Sequence, residues 1–190
     1  MPSAVSYFNR GVKHQNEGRF EEAIKDLTSA LALDSSMANA YVSRGLAYHD
    51  LEKYDEALAD YAQAITLNPR TPNAHFNRAT TYETLGRYAD AITDYTTAVT
   101  LYPDDAQAYY NRGNLYRGFE EIEKALNDYN EAIRLEPAMT PAYINRAGIY
   151  AMLGLYAEAL QDYRAVLTMD PTDGIALNNI RAIQLLTKHG

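Results

Sequence analysis

The sequence contains no cysteine among its 190 residues, so it forms no disulfide bond, and it contains no tryptophan either. This absence fits a reducing compartment. Basic residues are scarce as well: 17 Lys and Arg stand against 25 Asp and Glu, and the formal net charge is -8. Because an acidic protein repels phosphate backbones, we expect no nucleic-acid partner.

Long apolar segments are also missing. No segment approaches the roughly 20 apolar residues of a membrane-spanning helix, and the first residues, MPSAVSYFNR, lack the apolar core of a signal peptide. We therefore expect a soluble, cytoplasmic protein that does not enter a membrane.

Motifs of catalysis and metal binding are absent too. The four histidines show no His-Glu-x-x-His and no other metal-ligand spacing with a carboxylate. There is no Gly-x-Ser-x-Gly elbow of a hydrolase and no Gly-x-x-x-x-Gly-Lys of a phosphate-binding loop. With no residue nominated for catalysis, we expect a protein that is not an enzyme and that binds neither metal nor cofactor.

What the sequence does contain is an internal repeat, which three residue types mark independently at one constant spacing. Arginine recurs at Arg10, Arg44, Arg78, Arg112 and Arg146. Alanine recurs at Ala23, Ala57, Ala91, Ala125 and Ala159. Aspartate recurs at Asp26, Asp60, Asp94, Asp128 and Asp162. These columns define repeats at residues 4–37, 38–71, 72–105, 106–139 and 140–173, with a shorter sixth unit at 174–190.

Each repeat is predicted to form two helices joined by a short turn. In the second repeat Tyr41, Arg44 and Tyr48 share one helix face, and Ala57 and Tyr61 share the inner face of the next helix. Proline stops the second helix of four repeats, at Pro69, Pro103, Pro137 and Pro171. We predict eleven helices and no strand, with bounds near 4–16, 20–33, 38–50, 54–67, 72–84, 88–101, 106–118, 122–135, 140–152, 156–169 and 174–187.

The turns and contacts between helices have their own signals. Gly86 and Gly154 stand where a helix end favours glycine. Thr71-Pro72 and Thr140-Pro141 resemble a threonine N-cap followed by a proline in the first turn. Small residues are expected where the second helix approaches the first closely, at Gly11, Gly45, Ala79, Gly113 and Ala147.

These columns resemble the pattern of the tetratricopeptide repeat (TPR) family over residues 4–173. In the second repeat the matching residues are Tyr41, Arg44, Gly45, Tyr48, Ala57, Tyr61, Ala64 and Pro69. The resemblance implies an all-α fold, a right-handed superhelical solenoid of helix-turn-helix repeats with less than one full turn. It also implies that residues 1–190 form a single solenoid domain.

Both ends of the chain depart from the pattern. In the first repeat His14, Leu27 and Ser35 replace the tyrosine, the later aromatic residue and the proline, which fits a capping repeat because its neighbour is different. The segment 174–190 resembles the C-terminal solvating helix of the family, with an apolar stripe at Leu177, Ile180, Ile183 and Leu186.

The most frequent polar and aromatic residues are interpreted as framework. Fifteen of the 17 tyrosines fall in repeat columns and are expected in the core, which leaves Tyr102 and Tyr110 outside. Each arginine of the column is expected to form a partly buried ion pair with an aspartate of its own or the adjacent repeat. His14 and His75 occupy aromatic columns, and His49 is expected on the open side of its helix.

The family resemblance implies that the first helices line a concave groove where peptides bind. The position before each arginine is Asn9, Ser43, Asn77, Asn111 and Asn145, continued by Asn179. Because an amide both donates and accepts hydrogen bonds, such a ladder would hold the backbone of an extended peptide. It resembles the ladder on the concave TPR surface of O-linked N-acetylglucosamine transferase. The alternative is that asparagine is only a tolerated polar residue on a solvated helix.

An apolar column lies one residue earlier, at Phe8, Val42, Phe76, Tyr110 and Ile144. It is either an apolar stripe for a ligand or packing between adjacent first helices. Co-chaperone TPR domains place lysine and arginine on these helices to grip a carboxylate, and Arg117 is the cation that we expect on the concave face. The matching positions here are not basic: Phe8, Val12, Ser43, Asn73 and Asn77.

Two functions follow from this surface. We expect a non-catalytic scaffold or adaptor that binds a protein or peptide segment in the groove, through the asparagine ladder and the apolar stripe. The alternative is a self-assembling structural scaffold that forms homo-oligomers through the groove or the ends of the solenoid.

Overall fold

The computed structural model describes residues 2–71 and 73–188. Over these residues the protein consists of eleven α-helices, and no strand occurs. The helices are α1 (Ala4–Asn16), α2 (Phe20–Leu33), α3 (Ala38–Asp50), α4 (Tyr54–Leu67), α5 (Ala74–Thr84), α6 (Tyr88–Leu101), α7 (Ala106–Gly118), α8 (Ile122–Leu135), α9 (Thr140–Met152), α10 (Tyr156–Met169) and α11 (Gly174–Lys188).

The predicted bounds are confirmed for all helices except α5 and α11. Helix α5 begins at Ala74, and its predicted first residue, Pro72, lies outside the described residues. Helix α11 extends one residue further than predicted, to Lys188. Among the helices so described, none is both long enough and apolar enough to cross a membrane.

The helices form two compact units, Met1–Pro103 with α1 to α6 and Asp104–Gly190 with α7 to α11. In the first unit the helices pack in pairs, α1 with α2, α3 with α4 and α5 with α6, and α2 contacts α3 as α4 contacts α5. In the second unit α7 packs with α8 and α9 with α10, while α8 contacts α9 and α10 contacts α11. Stacking completes the core, since one helix pair cannot cover its own apolar faces.

Small residues are required where the two helices of a pair meet. A Cβ atom on Gly45 would lie 2.8 Å from Cε1 of Tyr61, and one on Gly113 would lie 3.0 Å from Cε1 of Tyr129. Both rings are completely buried, so they have no space into which to move. The predicted close approach at the small-residue column is therefore confirmed.

The turn inside each helix pair places one residue in the left-handed region of backbone space. Gly86 and Gly154 adopt φ values of 71° and 76°, as their predicted role requires. Glu52 and Glu120 occupy the same repeat position with φ of 59°. A side chain at this position is strained, so these two turns cost free energy that glycine avoids.

The predicted threonine caps are wrong. Thr140 is the first residue of α9, with Met139 at the cap position. Thr71 is buried, and its hydroxyl donates to the carbonyl of Asn68 at 2.7 Å. Since that hydroxyl is used by the preceding turn, it does not cap α5, which follows Asn73 in a left-handed conformation (φ 64°).

The stripe predicted for the closing helix α11 is confirmed at Ile180 and Ile183 and wrong at Leu177 and Leu186. Ala176 and Ile183 are buried, and Ile180 packs against the core cluster that contains Tyr163. Leu177 and Leu186, which the sequence placed in the stripe, are 37% and 61% exposed. The buried residues follow the i, i+4, i+7 spacing of one helix face, and the two leucines lie at its edges.

The tyrosine columns supply much of the core. Tyr61, Tyr95 and Tyr129 are completely buried, and Tyr163 is 2% exposed. Tyr88 is 45% exposed, so the core prediction is wrong for this residue. It is the first residue of α6, beside an exposed turn.

Each arginine of the column pairs with the column aspartate of its own repeat. In the second repeat Nε and Nη2 of Arg44 donate to the two carboxylate oxygens of Asp60 at 2.7 and 2.8 Å. The guanidinium carbon lies 5.5 Å from the ring centre of Tyr41 and 5.9 Å from that of Tyr48. The hydrogen bond with Asp60 raises the pKa of Arg44. The predicted ion pairs are confirmed at Arg44, Arg78, Arg112 and Arg146, and also at Arg10.

Two of these arginines also reach back to the preceding repeat. Nη1 of Arg44 donates to the Thr28 hydroxyl at 3.1 Å, and Nη1 of Arg146 donates to Oδ1 of Asn130 at 2.6 Å. One guanidinium thus joins the two helices of its own pair and connects them to the helix before. The pair fixes the register of a hairpin more than it adds stability.

Replacing Arg44 by alanine is expected to lower the free energy of unfolding by about 3 kcal/mol, because it leaves the Asp60 carboxylate buried without its partner. Arg10→Ala is the matched control: the Arg10 side chain is 53% exposed and Asp26 keeps His14 at 3.4 Å, so this loss should cost less. Urea denaturation followed by circular dichroism measures both. Equal losses in the two variants would contradict the role of burial.

His75 adds a second partner to one of these pairs. Its Nδ1 lies 3.1 Å from Oδ1 of Asp94, which also accepts a hydrogen bond from Arg78. Burial opposes ionisation of Asp94, but the hydrogen bonds from Arg78 and His75 outweigh it and lower the pKa of that carboxyl. The folded protein then binds fewer protons than the unfolded chain. This stabilisation is present above about pH 4 and is lost as the pH falls through the folded-state pKa.

Replacing His75 by phenylalanine is expected to raise the pKa of Asp94 while the Arg78 contact remains. Acid unfolding should then begin at a higher pH than in the wild type. A carbon-13 NMR titration of the aspartate carboxyls measures the change, with the exposed Asp104 as the internal control that should not move. An unchanged Asp94 titration would show that His75 does not hold the carboxylate.

Candidate functional site

The candidate site is, in each unit, the surface formed by the polar and apolar columns of the first helices, which we call the first-helix face. In the first unit it belongs to α1, α3 and α5, and in the second to α7 and α9. The arginine and small-residue columns hold the other side of these helices against the second helices. The residue just before each arginine therefore lies away from that contact. The apolar residue before it shares a face with the small residue and, at Phe76 and Tyr110, packs against a tyrosine of the second helix. Both columns are half-buried or exposed.

The apolar column forms the floor of this face. All five residues, Phe8, Val42, Phe76, Tyr110 and Ile144, are half-buried. The ring of Phe76 meets Tyr95 edge to face at 5.6 Å, and Tyr110 lies 6.1 Å from Tyr129. Phe8 and Ile144 pack against the core clusters of their own units. These side chains thus pack on the core and leave part of their surface accessible.

The polar column of the first unit has unengaged amides. Asn9 is exposed and Asn77 is half-buried. Neither side chain forms a hydrogen bond to any residue in the ranges 2–71 and 73–188. Each offers two N–H donors and a carbonyl acceptor beside a half-buried aromatic ring, Phe8 or Phe76. Ser43 lies between them in the sequence of repeats and is half-buried.

The polar column of the second unit is largely engaged within the protein. Nδ2 of Asn145 donates to Oδ1 of Asn114 at 2.8 Å and to the Tyr110 hydroxyl at 3.2 Å. Oδ1 of Asn145 accepts a hydrogen bond from Nη1 of Arg117 at 3.0 Å. The Tyr129 hydroxyl also donates to Oδ1 of Asn114, at 2.8 Å. Burial raises the pKa of Tyr129 to about 12, so this phenol stays protonated and keeps its donor near neutral pH.

The ladder predicted from the sequence is therefore not uniform. Asn145 connects α9 to α7, Asn111 accepts a hydrogen bond from Gln107, and Asn179 donates to the backbone carbonyl of Ile175. These three amides support their own helices or join neighbouring helices. A peptide could use the donors of Asn145 only by displacing one of its present partners.

A pocket of about 740 Å³ opens beside this network, between the end of α7 and the last turns of α9. Its apolar lining comes from Ile122, Ile149 and Met152. Gly118 and Gly148 form part of its wall. Arg117 and Glu120 supply the charged groups at its edge.

The histidines have structural contacts. Nδ1 of His49 lies 2.9 Å from the Thr81 hydroxyl, and the His49 ring meets Tyr54 edge to face at 5.3 Å. The expectation that His49 lies on the open side is therefore wrong, because it links α3 to α5. His14 lies 3.4 Å from the carboxylate of Asp26. His189 lies outside the described residues, and within them no group of three His, Asp or Glu could hold a metal ion.

Sequence reasoning did not find the role of Asn114 or of the pocket. A signal was present in the column three residues after the asparagine ladder, which reads Val12, Leu46, Thr80, Asn114 and Gly148. The column changes from apolar to polar and then to glycine along the chain. In the third and fourth repeats its polar residues meet the buried tyrosine hydroxyls, Thr80 with Tyr95 and Asn114 with Tyr129.

Stacked helix pairs that recur at one constant spacing, each closed by one arginine–aspartate pair, define a repeat protein of helical hairpins. Comparison with protein families identifies this helical hairpin. A family model of the TPR repeat matches residues 16–52, 45–86 and 84–117. Two further models of the tetratricopeptide repeat match residues 106–139 and 140–173. The chain belongs to the tetratricopeptide repeat family, whose members are protein-interaction scaffolds.

Solved structures share this fold. MamA from Desulfovibrio magneticus RS-1 is 21% identical with a TM-score of 0.78, covering 90% of this chain and 97% of that one. YrrB, described as a TPR protein with an unusual peptide-binding site, is 23% identical with a TM-score of 0.77, covering 95% and 93%. A TPR protein from Parabacteroides merdae is 21% identical with a TM-score of 0.78, covering 97% and 73%. Comparison with the curated proteins finds no match.

Replacing Asn145 by alanine is expected to destabilise the second unit by about 1–3 kcal/mol, because Asn114, Tyr110 and Arg117 lose a common partner in a half-buried network. Asn179→Ala is the matched control from the same column. Its amide bonds only to the preceding turn of its own helix, so its loss should be close to neutral. Thermal unfolding of both variants by calorimetry makes the comparison, and equal melting temperatures would contradict the bridging role.

Proposed function

We propose that this protein is a non-catalytic scaffold that binds a protein or peptide segment on its first-helix face. The observation that supports this most directly is the pairing of unengaged amides with half-buried aromatic rings in the first unit, at Asn9 with Phe8 and Asn77 with Phe76. An amide can bond the N–H and the C=O of an extended backbone, and the ring can receive a side chain. YrrB, a protein of the same fold, is described as having a peptide-binding site.

The proposed site in the second unit works differently. Asn111, Asn145 and Asn179 remain proposed ligand contacts, together with Tyr110 and Ile144, but their amides already have partners. In this unit the remaining N–H groups of Arg117 and the amide nitrogen of Asn114 can donate further hydrogen bonds to a ligand. We propose that the first unit binds the backbone of the peptide and that the pocket of the second unit binds one of its side chains.

The expected affinity is modest. Each amide bond to a peptide backbone contributes roughly 0.5–1.5 kcal/mol net, since water must be displaced to form it. Three or four such bonds and two apolar contacts, less the cost of ordering a flexible peptide, suggest a Kd near micromolar, or about -8 kcal/mol. Because few charges line the face, binding should depend only weakly on salt.

The test is a calorimetric titration of a peptide selected on the full-length protein from an unbiased display library. Replacing Asn9 and Asn77, the unengaged amides of the first unit, together by alanine is expected to weaken binding about tenfold or more. Asn127→Ala, on the second helix α8, is the control and should bind as the wild type does. Unchanged affinity in a folded double variant, or loss of binding in moderate salt, would move the site to another surface.

A second function, self-assembly into homo-oligomers, is favoured by one observation. Helix α11 leaves apolar side chains uncovered: Ile175, Leu185 and Leu186 are 54%, 60% and 61% exposed. Another copy of the chain could cover them. Light scattering without added peptide separates the two functions. The average molar mass should rise with protein concentration only if the protein self-assembles. Both proposals include that residues 1–190 act as a single solenoid domain.

A further inference from the structure

Gly148 has no structural reason to be glycine. It lies inside α9, where glycine is the poorest helix former after proline. A Cβ atom at Gly148 would meet nothing within 4 Å, in contrast to Gly45 and Gly113, which have rings against them. Its φ is not in the left-handed region either. Packing between the helices therefore does not require glycine at this position, and the missing side chain leaves open space beside α9.

Gly148 also offers no side chain to the tyrosine hydroxyl of its repeat, just as Leu46 offers no polar group to Tyr61 in the second repeat. In the third repeat the buried tyrosine hydroxyl bonds to Thr80, and in the fourth it bonds to Asn114. The corresponding residue for Tyr163 is Gly148, which has no side chain. Tyr163 is 2% exposed, and its hydroxyl has no hydrogen-bond partner within the described residues. At Gly148 the fifth repeat thus lacks the hydrogen bond that Thr80 and Asn114 provide in the third and fourth repeats.

The pocket next to Gly148 has the size and lining of a side-chain subsite. Its 740 Å³ falls within the range of about 300–1,000 Å³ that ligand pockets show. Ile149 is 2% exposed and gives a fixed apolar floor, whereas Met152 is 67% exposed and can move over an entering group. This lining matches a large aliphatic or aromatic side chain.

The edge of the pocket has a cation without an acidic partner. Each arginine of the repeat column pairs with an aspartate, but Arg117 bonds to a neutral amide, Asn145. No carboxylate of the described residues lies within ion-pair distance of Arg117. Its charge is complementary to an acidic group on a partner, and Glu120, which lines the same pocket, opposes that group.

We infer that this pocket selects a peptide in which a large apolar residue is flanked by an acidic residue. The inference rests on the proposed function and names the class of partner. The apolar side chain fills the space beside Gly148 over Ile149, and the neighbouring carboxylate pairs with Arg117. Asn114, which Asn145 connects to Arg117, has an amide nitrogen available for a carbonyl of the same peptide.

The experiment uses the full-length protein and short acetylated, amidated peptides of glycine and serine with a Glu-Leu-Glu centre. Binding is followed by nitrogen-15 NMR titration. Changing the centre to Glu-Ala-Glu should weaken binding about tenfold or more, since the pocket loses its apolar occupant. Changing it to Gln-Leu-Gln should weaken binding about two- to fivefold, as expected for one exposed ion pair.

Three variants assign these preferences to the pocket. Gly148→Leu should abolish binding of the Glu-Leu-Glu peptide and leave the melting temperature equal or higher, while Gly174→Leu, at the open start of α11, is the matched control and should bind normally. Arg117→Gln should remove the preference for Glu-Leu-Glu over Gln-Leu-Gln. Glu120→Gln should strengthen binding of the acidic peptide up to severalfold.

Normal binding of the Glu-Leu-Glu peptide by folded Gly148→Leu would overturn the inference, as would equal affinity for the three peptides. The proposed function is tested separately by the library-selected peptide. If that peptide still depends on Asn9 and Asn77 while Gly148→Leu binds it normally, the inference about the pocket fails and the scaffold function stands.

Discussion

The ion pair between the column arginine and the column aspartate of the same repeat is the contact on which the rest of the structure depends. It joins the two helices of each hairpin at one register, in every repeat. The aspartates are nearly buried, so a slip of one position would leave a carboxylate without a partner. Through Thr28 and Asn130 two of the arginines also fix the position of the preceding helix. The flanking tyrosine rings limit where the guanidinium can lie.

This constraint decides which residues are free for binding. The arginine and the small residue after it must face the second helix, so the residue just before the arginine lies on the other side of the first helix and the apolar residue before that lies at the edge of the contact. In the first unit that leaves the amides of Asn9 and Asn77 unengaged. In the second unit the same column is used to connect α7 to α9, and a pocket forms where Gly148 omits a side chain. The same repeat framework thus presents unengaged amides in the first unit and a pocket in the second.

The fold was predictable from the sequence because the columns repeat. Their constant spacing, the prolines after the second helices and the glycines in the turns located nearly every helix end. The errors occur where the repeat changes. Thr71 and Thr140 resemble caps, but a threonine hydroxyl can instead bond to the turn before it. Leu177 and Leu186 of α11 were wrongly placed in the buried stripe because that helix has no following repeat in the sequence pattern to define its buried face.

The site was less predictable, because a column of identical residues need not have identical partners. Asn77 and Asn145 occupy the same repeat position, yet only Asn145 has Asn114, Tyr110 and Arg117 around it. Those neighbours come from a different repeat, and their side chains differ between repeats. His49 was misplaced for the same reason, since its partner Thr81 belongs to the next repeat. Periodicity predicts the position of a side chain and does not predict what it meets.

The central claim is that the first helices, and not the second, contact the partner. The most direct measurement follows the side-chain amide signals of asparagine by NMR while a library-selected peptide is added to the full-length protein. The amides of Asn9, Asn77 and Asn114 should shift, and that of Asn127 on α8 should stay in place. Shifts confined to Asn127 and other residues of the second helices would contradict the claim.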